Sequence, residues 1–143
     1  MNVFIIGSPL ETAKALDKRR LSKQIVECEQ MLAVYENRKT AWYNHPCTRQ
    51  YAKYASWLHS YKVTLERFRD NEMTSAHYWN NMAEQTRPAF HTEEFFNQMK
   101  RRLYTKDPVH YAQWAGLGKS EENWYWSPCE NGIIKYVNGK RIK

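Results

Sequence analysis

Cysteine, glycine and proline are all scarce, with 3, 5 and 5 of them in 143 residues. Cys28, Cys47 and Cys129 are odd in number and widely spaced, so neither a disulfide framework nor a zinc motif is indicated. No apolar run approaches the roughly 20 residues of a membrane span, and the mean hydropathy is −0.86. The opening MNVFIIGSPLETAK lacks the basic n-region and long h-region of a signal peptide. These absences predict no membrane association and a reducing, cytoplasmic setting. No GxGxxG, Walker loop, GxSxG or HExxH occurs, which leaves nucleotide-fold, hydrolase and zinc-protease readings without support. Internal repeats and low-complexity tracts are also missing.

Aromatic residues and positive charge stand out instead. The chain has 6 Trp, 10 Tyr and 5 Phe, a formal net charge of +7 and a pI of about 9.3. Hydrophobic residues at 42% and charged residues at 26% exclude a disordered or collagen-like chain. The length suits one domain, able to bury roughly 70% of the surface it exposes when unfolded. A basic, aromatic-rich domain suits polyanions and stacked bases.

The apolar pattern is mainly helical. Val3 to Ile6 reads as an extended arm. Ser8, Pro9 and Glu11 form a helix start, with Ser8 as cap, Pro9 in the first turn and Glu11 completing a capping box. Apolar positions from Ala13 through Leu16, Leu21, Ile25, Cys28 and Leu32 to Tyr35 fit one or two helices, with Asp17 able to cap the second. A loop follows to Pro46, then a second helix from Thr48 to about Arg69. Asp70 to Pro88 is ambiguous, with Ser75 to Met82 able to add a turn of helix. Thr92, Glu93 and Glu94 open a third helix, and Asp107-Pro108 starts a short fourth over Val109 to about Ala115. Ile133 to Val137, Asn138-Gly139 and Lys140 to Ile142 give a hairpin signal with a type I′ turn. The expected fold is mainly α, a compact single domain of three to four helices over residues 1–143, with that C-terminal β-hairpin.

Several clusters carry candidate chemistry. Lys14, Lys18, Arg19, Arg20 and Lys23 face one acid, Asp17, and suit phosphate contacts whose counterions are released on binding. The same pattern is also that of a solvated helix face. Glu27 follows one turn later, four residues after Lys23. It fits either a helix-surface ion pair or a carboxylate set in a basic cleft to stabilise a cation or move a proton. His45, held extended before Pro46, can point into a groove or serve as a capping group. Trp124-Tyr125-Trp126 can stack on bases, though closing the end of the core is the favoured reading. No metal site is indicated.

In order and spacing, these pieces resemble a known family. Leu16-Asp17-Lys18-Arg19-Arg20-Leu21, Val26-Glu27-Cys28 and Tyr43-Asn44-His45-Pro46 resemble the pyrimidine-dimer DNA glycosylase and AP-lyase family, the endonuclease V-like enzymes. Glu94-Phe95-Phe96, Met99-Lys100-Arg101-Arg102-Leu103, Asp107-Pro108 and Tyr111 extend the likeness, which spans roughly Asp17 to Trp114. The resemblance implies an all-α fold with the N-terminus in the DNA-binding face. It implies base flipping, displacement of a damaged base by the N-terminal α-amine and strand cleavage by β-elimination, with no cofactor or metal.

Carried onto this sequence, the catalytic residues are Met1 or Asn2 and Glu27. The DNA-binding residues are Lys18, Arg19, Arg20, Lys23, Gln30, His45 and Arg49, and the partner is double-stranded DNA met by a monomer. The sequence departs from the family pattern at Asn2, where phage members expose a threonine after loss of the initiator methionine. Val3, Val26 and Gln30 fall near places where those members carry arginines. A non-catalytic DNA- or ligand-binding member of the same scaffold is the alternative, and a purely structural helical domain is a third reading.

Overall fold

The computed structural model describes residues 3–38, 42–43 and 45–119, and the backbone of three strands further on. The fold is mainly helical. Helices α1 (Pro9–Ala15), α2 (Lys18–Tyr35), α3 (Pro46–Gln50), α4 (Ala55–Arg69), α5 (Met73–Gln85) and α6 (Glu93–Lys106) follow in order. Short 3₁₀ turns lie at Ala52–Tyr54 and Ala112–Leu117. The strands β1 (Tyr125–Cys129), β2 (Gly132–Val137) and β3 (Lys140–Ile142) make an antiparallel sheet in that order, with Val137 opposite Lys140. The expected I′ turn at Asn138-Gly139 lies outside the described residues.

The start of α1 follows its sequence signals closely. Ser8 Oγ accepts from the Glu11 N–H at 3.1 Å, while Glu11 Oε1 accepts from the Ser8 N–H at 3.4 Å. The chain leaves the helix at Leu16, and the Asp17 side chain accepts from the Arg20 N–H to start α2. Thr92 caps α6 in the same way, accepting from the Phe95 N–H at 3.2 Å.

Six α-helices among the described residues replace the three to four expected. The break at Leu16 and Asp17 makes two helices of the first apolar region. The second breaks around Tyr51 and Tyr54, because Tyr51 is fully buried, stacked on Trp57 at 5.3 Å. The chain there takes a 3₁₀ turn before α4 begins. The ambiguous stretch is a full helix, α5, entered through Asn71 in the left-handed region at φ 59°. Its buried residues are small, Ala76 and Ala83, so it has no apolar stripe to betray it.

Past Asp107 the expected helix is a single turn and then 3₁₀. Asp107 Oδ1 caps His110 N–H at 3.1 Å, and only Tyr111 is buried there. A longer helix would have no apolar face to bury.

The core lies where α2, α4 and α6 meet, with Cys28, Met31, Leu58, Tyr61, Leu65, Phe95, Met99 and Leu103 at its centre. The N-terminal arm runs into it: Val3, Phe4 and Ile5 are all buried.

Candidate active site and nucleic-acid interface

The arm is fixed by polar groups of α2 and α4. Phe4 N–H donates to Gln24 Oε1 at 3.0 Å. The Tyr61 hydroxyl lies 2.8 Å from the Phe4 carbonyl and 2.9 Å from the same Gln24 oxygen. A backbone hydrogen bond from Val3 reaches the Cys47 thiol on α3. Every buried polar group of the arm named here thus has a partner, which fixes where the chain start emerges.

Glu27 sits on α2 one turn beyond Gln24, with only 6% of its surface exposed. Its Oε2 is buried and has no hydrogen-bond partner among the described residues. Burial pushes its pKa up, opposed by the charges of Lys23 and Lys106. An ionisable carboxylate held this way costs stability and returns no structural contact at that oxygen. Such arrangements concentrate where a protein does chemistry.

Successive residues of an α-helix turn by about 100°. Arg19, Lys23, Glu27 and Gln30, spaced by four, four and three residues, therefore share one flank of α2. Lys18, nine residues before Glu27, falls about half a turn away on the opposite side. It lines a separate cleft with Leu21, Ser22, Phe68, Arg69 and Asn71. Arg20 is tied to Asp17 at 3.1 Å and Asp107 at 3.9 Å, with its guanidinium 6.0 Å from the Tyr111 ring centre. Of the three adjacent basic residues, Arg19 is the one the helix carries to the Glu27 flank.

Across from this flank stands the start of α3. His45 caps it, its Nδ1 accepting from the Cys47 N–H at 3.0 Å. The ring meets Trp42 edge-on at 4.8 Å, and Trp42 Nε1 donates to Gln30 Oε1. Burial, with Arg49 adding to it, lowers the His45 pKa to about 4. His45 is therefore neutral at pH 7 and holds the loop in place. Arg49 is exposed on α3. Cys47 is pushed up to about 12 and Cys28 well above its ordinary value, both mainly by burial, so neither thiol is a nucleophile at neutral pH.

Two residues of α6 join the site unpredicted. The charge of Lys106 acts on Glu27, and that of Arg102, buried with 7% of its surface exposed, acts on Cys47. Their only sequence signal is the basic run Lys100-Arg101-Arg102 followed four residues later by Lys106. Met1 and Asn2 lie outside the described residues, as do the side chains of Trp124-Tyr125-Trp126. No group of three or more His, Cys, Asp or Glu among the described residues is placed to hold a metal ion. No described helix is long and apolar enough to cross a membrane.

The resemblance assigns the essential carboxylate to a helix glutamate, and Glu27 is a buried carboxylate on α2 beside Lys23. The family model for pyrimidine dimer DNA glycosylase matches residues 1–86. The chain belongs to the pyrimidine dimer DNA glycosylase family. The match runs from the arm through the end of α5 and includes Glu27, the α2 flank and α3. Neither the curated proteins nor the solved structures give a match to the chain. Membership in this family implies glycosylase function and a DNA substrate.

Proposed function

We propose that the chain, as one domain over residues 1–143, is a monomeric glycosylase with AP-lyase activity on damaged or modified bases in double-stranded DNA. The observation that supports this reading best is Glu27, a buried carboxylate beside Lys23 and Lys106 with one oxygen that has no hydrogen-bond partner among the described residues. The nucleophile is the α-amine ahead of Val3, on Met1 or on Asn2 once Met1 is removed. Two residues of chain reach at most about 7 Å beyond Val3, whose backbone bonds the Cys47 thiol. This short reach supports the amine as the nucleophile that works with Glu27.

The chemistry suits these groups. An α-amine has a pKa near 7.7–8.0, against about 10.4 for lysine, so far more of it is unprotonated at pH 7. The amine nitrogen attacks C1′ of the flipped nucleotide, the glycosidic bond breaks, and the base leaves with the bonding pair. The attached nitrogen then loses a proton and the C1′–O4′ bond opens, O4′ taking the pair and a proton. The C1′=N iminium so formed is a cation that the Glu27 carboxylate stabilises. Loss of a C2′ proton, with Glu27 as acceptor, expels the 3′ phosphate and cleaves the strand. Arg19, Lys23, Arg49 and Lys106 supply phosphate contacts around the site. Flipping is cheapest at a damaged pair, which contributes selectivity.

A duplex carrying a single pyrimidine photodimer tests the reading. Wild-type protein should cut the damaged strand, and Glu27→Gln should cut it at least about 100-fold more slowly with binding retained. Equal cleavage by both proteins, or none by the wild type, contradicts it. The second reading, a non-catalytic DNA-binding member, draws on Val26 and Gln30, uncharged residues flanking Glu27. It predicts binding without cleavage.

A further inference from the structure

Large apolar side chains are rarely left in solvent here, yet two of the exposed ones border the Glu27 flank. Val26, immediately before Glu27, is 51% exposed, and Tyr43 is 50% exposed. Gln30 stands one turn above Val26 on α2 and accepts from Trp42, the neighbour of Tyr43. The Trp42 carbonyl accepts from Thr48 Oγ1 at 2.8 Å and from the His45 N–H at 3.1 Å. The His45 ring packs on Trp42 as well. Trp42 and His45 are thus tied to α2 and α3, and Tyr43 between them is half exposed at the edge of the site.

Cations stand close to Glu27 and His45: the charges of Lys23 and Lys106 act on Glu27, and that of Arg49 acts on His45. Lys23 is exposed on α2, Arg49 on α3, and Lys106 at the end of α6. Such groups track phosphates and leave bases unread. An aromatic face on a rigid support among phosphate-binding cations suits the π-face of a nucleobase, and it has nothing to offer a phosphate. Val26 adds apolar surface on the same side. Because Trp42 and His45 are held by these bonds in advance, less ordering is needed when a base arrives.

We propose that Tyr43 stacks on a base of the duplex at the lesion and is a specificity-determining residue for damaged DNA. This rests on the glycosylase reading above. The contact is with the base opposite or beside the lesion, which loses its own stacking partner when the damaged nucleotide leaves the helix.

The test uses a duplex with a tetrahydrofuran abasic analogue opposite 2-aminopurine, titrated with wild type, Tyr43→Ala, Tyr43→Phe and Tyr43→Trp. Tyr43→Ala should weaken binding to this duplex by about five- to 100-fold and change the 2-aminopurine fluorescence of the bound state. Tyr43→Phe and Tyr43→Trp should stay within about twofold of wild type, all with one salt slope. Wild-type affinity in Tyr43→Ala overturns the proposal. So does equal loss in Tyr43→Phe, or a shallower salt slope, either of which marks a polar or phosphate contact.

The tyrosine is exposed, so circular dichroism of Tyr43→Ala should match wild type. A wild type that cleaves photodimer DNA beside an unaffected Tyr43→Ala removes the stacking role alone. A wild type that fails to cleave, with lesion binding still dependent on an aromatic residue 43, removes the glycosylase reading alone.

Discussion

Asp17 and Tyr111, 94 residues apart, are tied twice. The Tyr111 hydroxyl donates to Asp17 Oδ1 and accepts from the Asp17 backbone N–H at 3.1 Å. Asp17 caps α2, and Tyr111 ends the turn after α6. The pair therefore fastens both helices of the candidate site at one corner, with Arg20 completing it.

Tyr111→Phe removes both bonds and keeps the ring. It should cost about 1–3 kcal/mol in urea unfolding at pH 7. Burial works to raise the Asp17 pKa, and the hydrogen bonds from Tyr111 and Arg20 outweigh it, so the folded-state value is lowered. A carboxylate lowered on folding contributes stability above its unfolded pKa of about 3.9 and loses it as pH falls through the folded value. The cost of Tyr111→Phe should accordingly shrink between pH 7 and pH 3. An equal cost at both would remove Asp17 from the account.

His91 is 2% exposed, its Nε2 lies 2.7 Å from the Tyr51 hydroxyl, and aromatic rings surround it. Burial, then the charge of Arg87, lowers its pKa to about 3. An unfolded histidine takes up a proton below about pH 6.5, whereas this one stays neutral in the fold until about pH 3. The unfolded state therefore gains between those values, and stability falls as pH drops. The slope approaches about 1.4 kcal/mol per pH unit for each such histidine, and His45, lowered to about 4, adds to it above that point. His91→Gln should flatten the dependence of urea stability between pH 6 and pH 4 by about one proton's worth. An unchanged slope would show that His91 protonates in the native state.

Helical geometry separates two lysines that the sequence groups together. Lys23→Ala should weaken duplex binding and lower the salt slope by about one unit, as expected for one lost phosphate contact. Lys18→Ala, on the far side of α2 in a different cleft, should leave both nearly unchanged. Equal losses would mean that the DNA wraps both sides of the helix.

Where the sequence was legible, the signals were local and strong. The capping box at Ser8, the cap at Asp17 and the cap at Thr92 all follow from residue types acting within a few positions. Other features were hidden for identifiable reasons. Helix α5 buries alanines, which carry little periodic signal. The break at Tyr51 is imposed by stacking against Trp57 and by His91, 40 residues on. The site is similar. Glu27 stood out beside Lys23 by spacing, but Lys106 joins through packing of α6, which no local pattern encodes. For His45 the sequence leaves a groove-facing and a capping reading open; the structure shows the cap, and burial makes the ring neutral. The family-model match ends at residue 86; the resemblance in the sequence reaches α6, but the action of Lys106 on Glu27 is seen only in the structure.

The most direct test of the central claim is borohydride trapping on an abasic-site duplex, using untagged protein and intact-mass and peptide mapping of the adduct. The account predicts one covalent adduct, located at the first residue of the chain and lost when that amine is acetylated. An adduct on a lysine, or bound duplex that never forms an adduct, would contradict it.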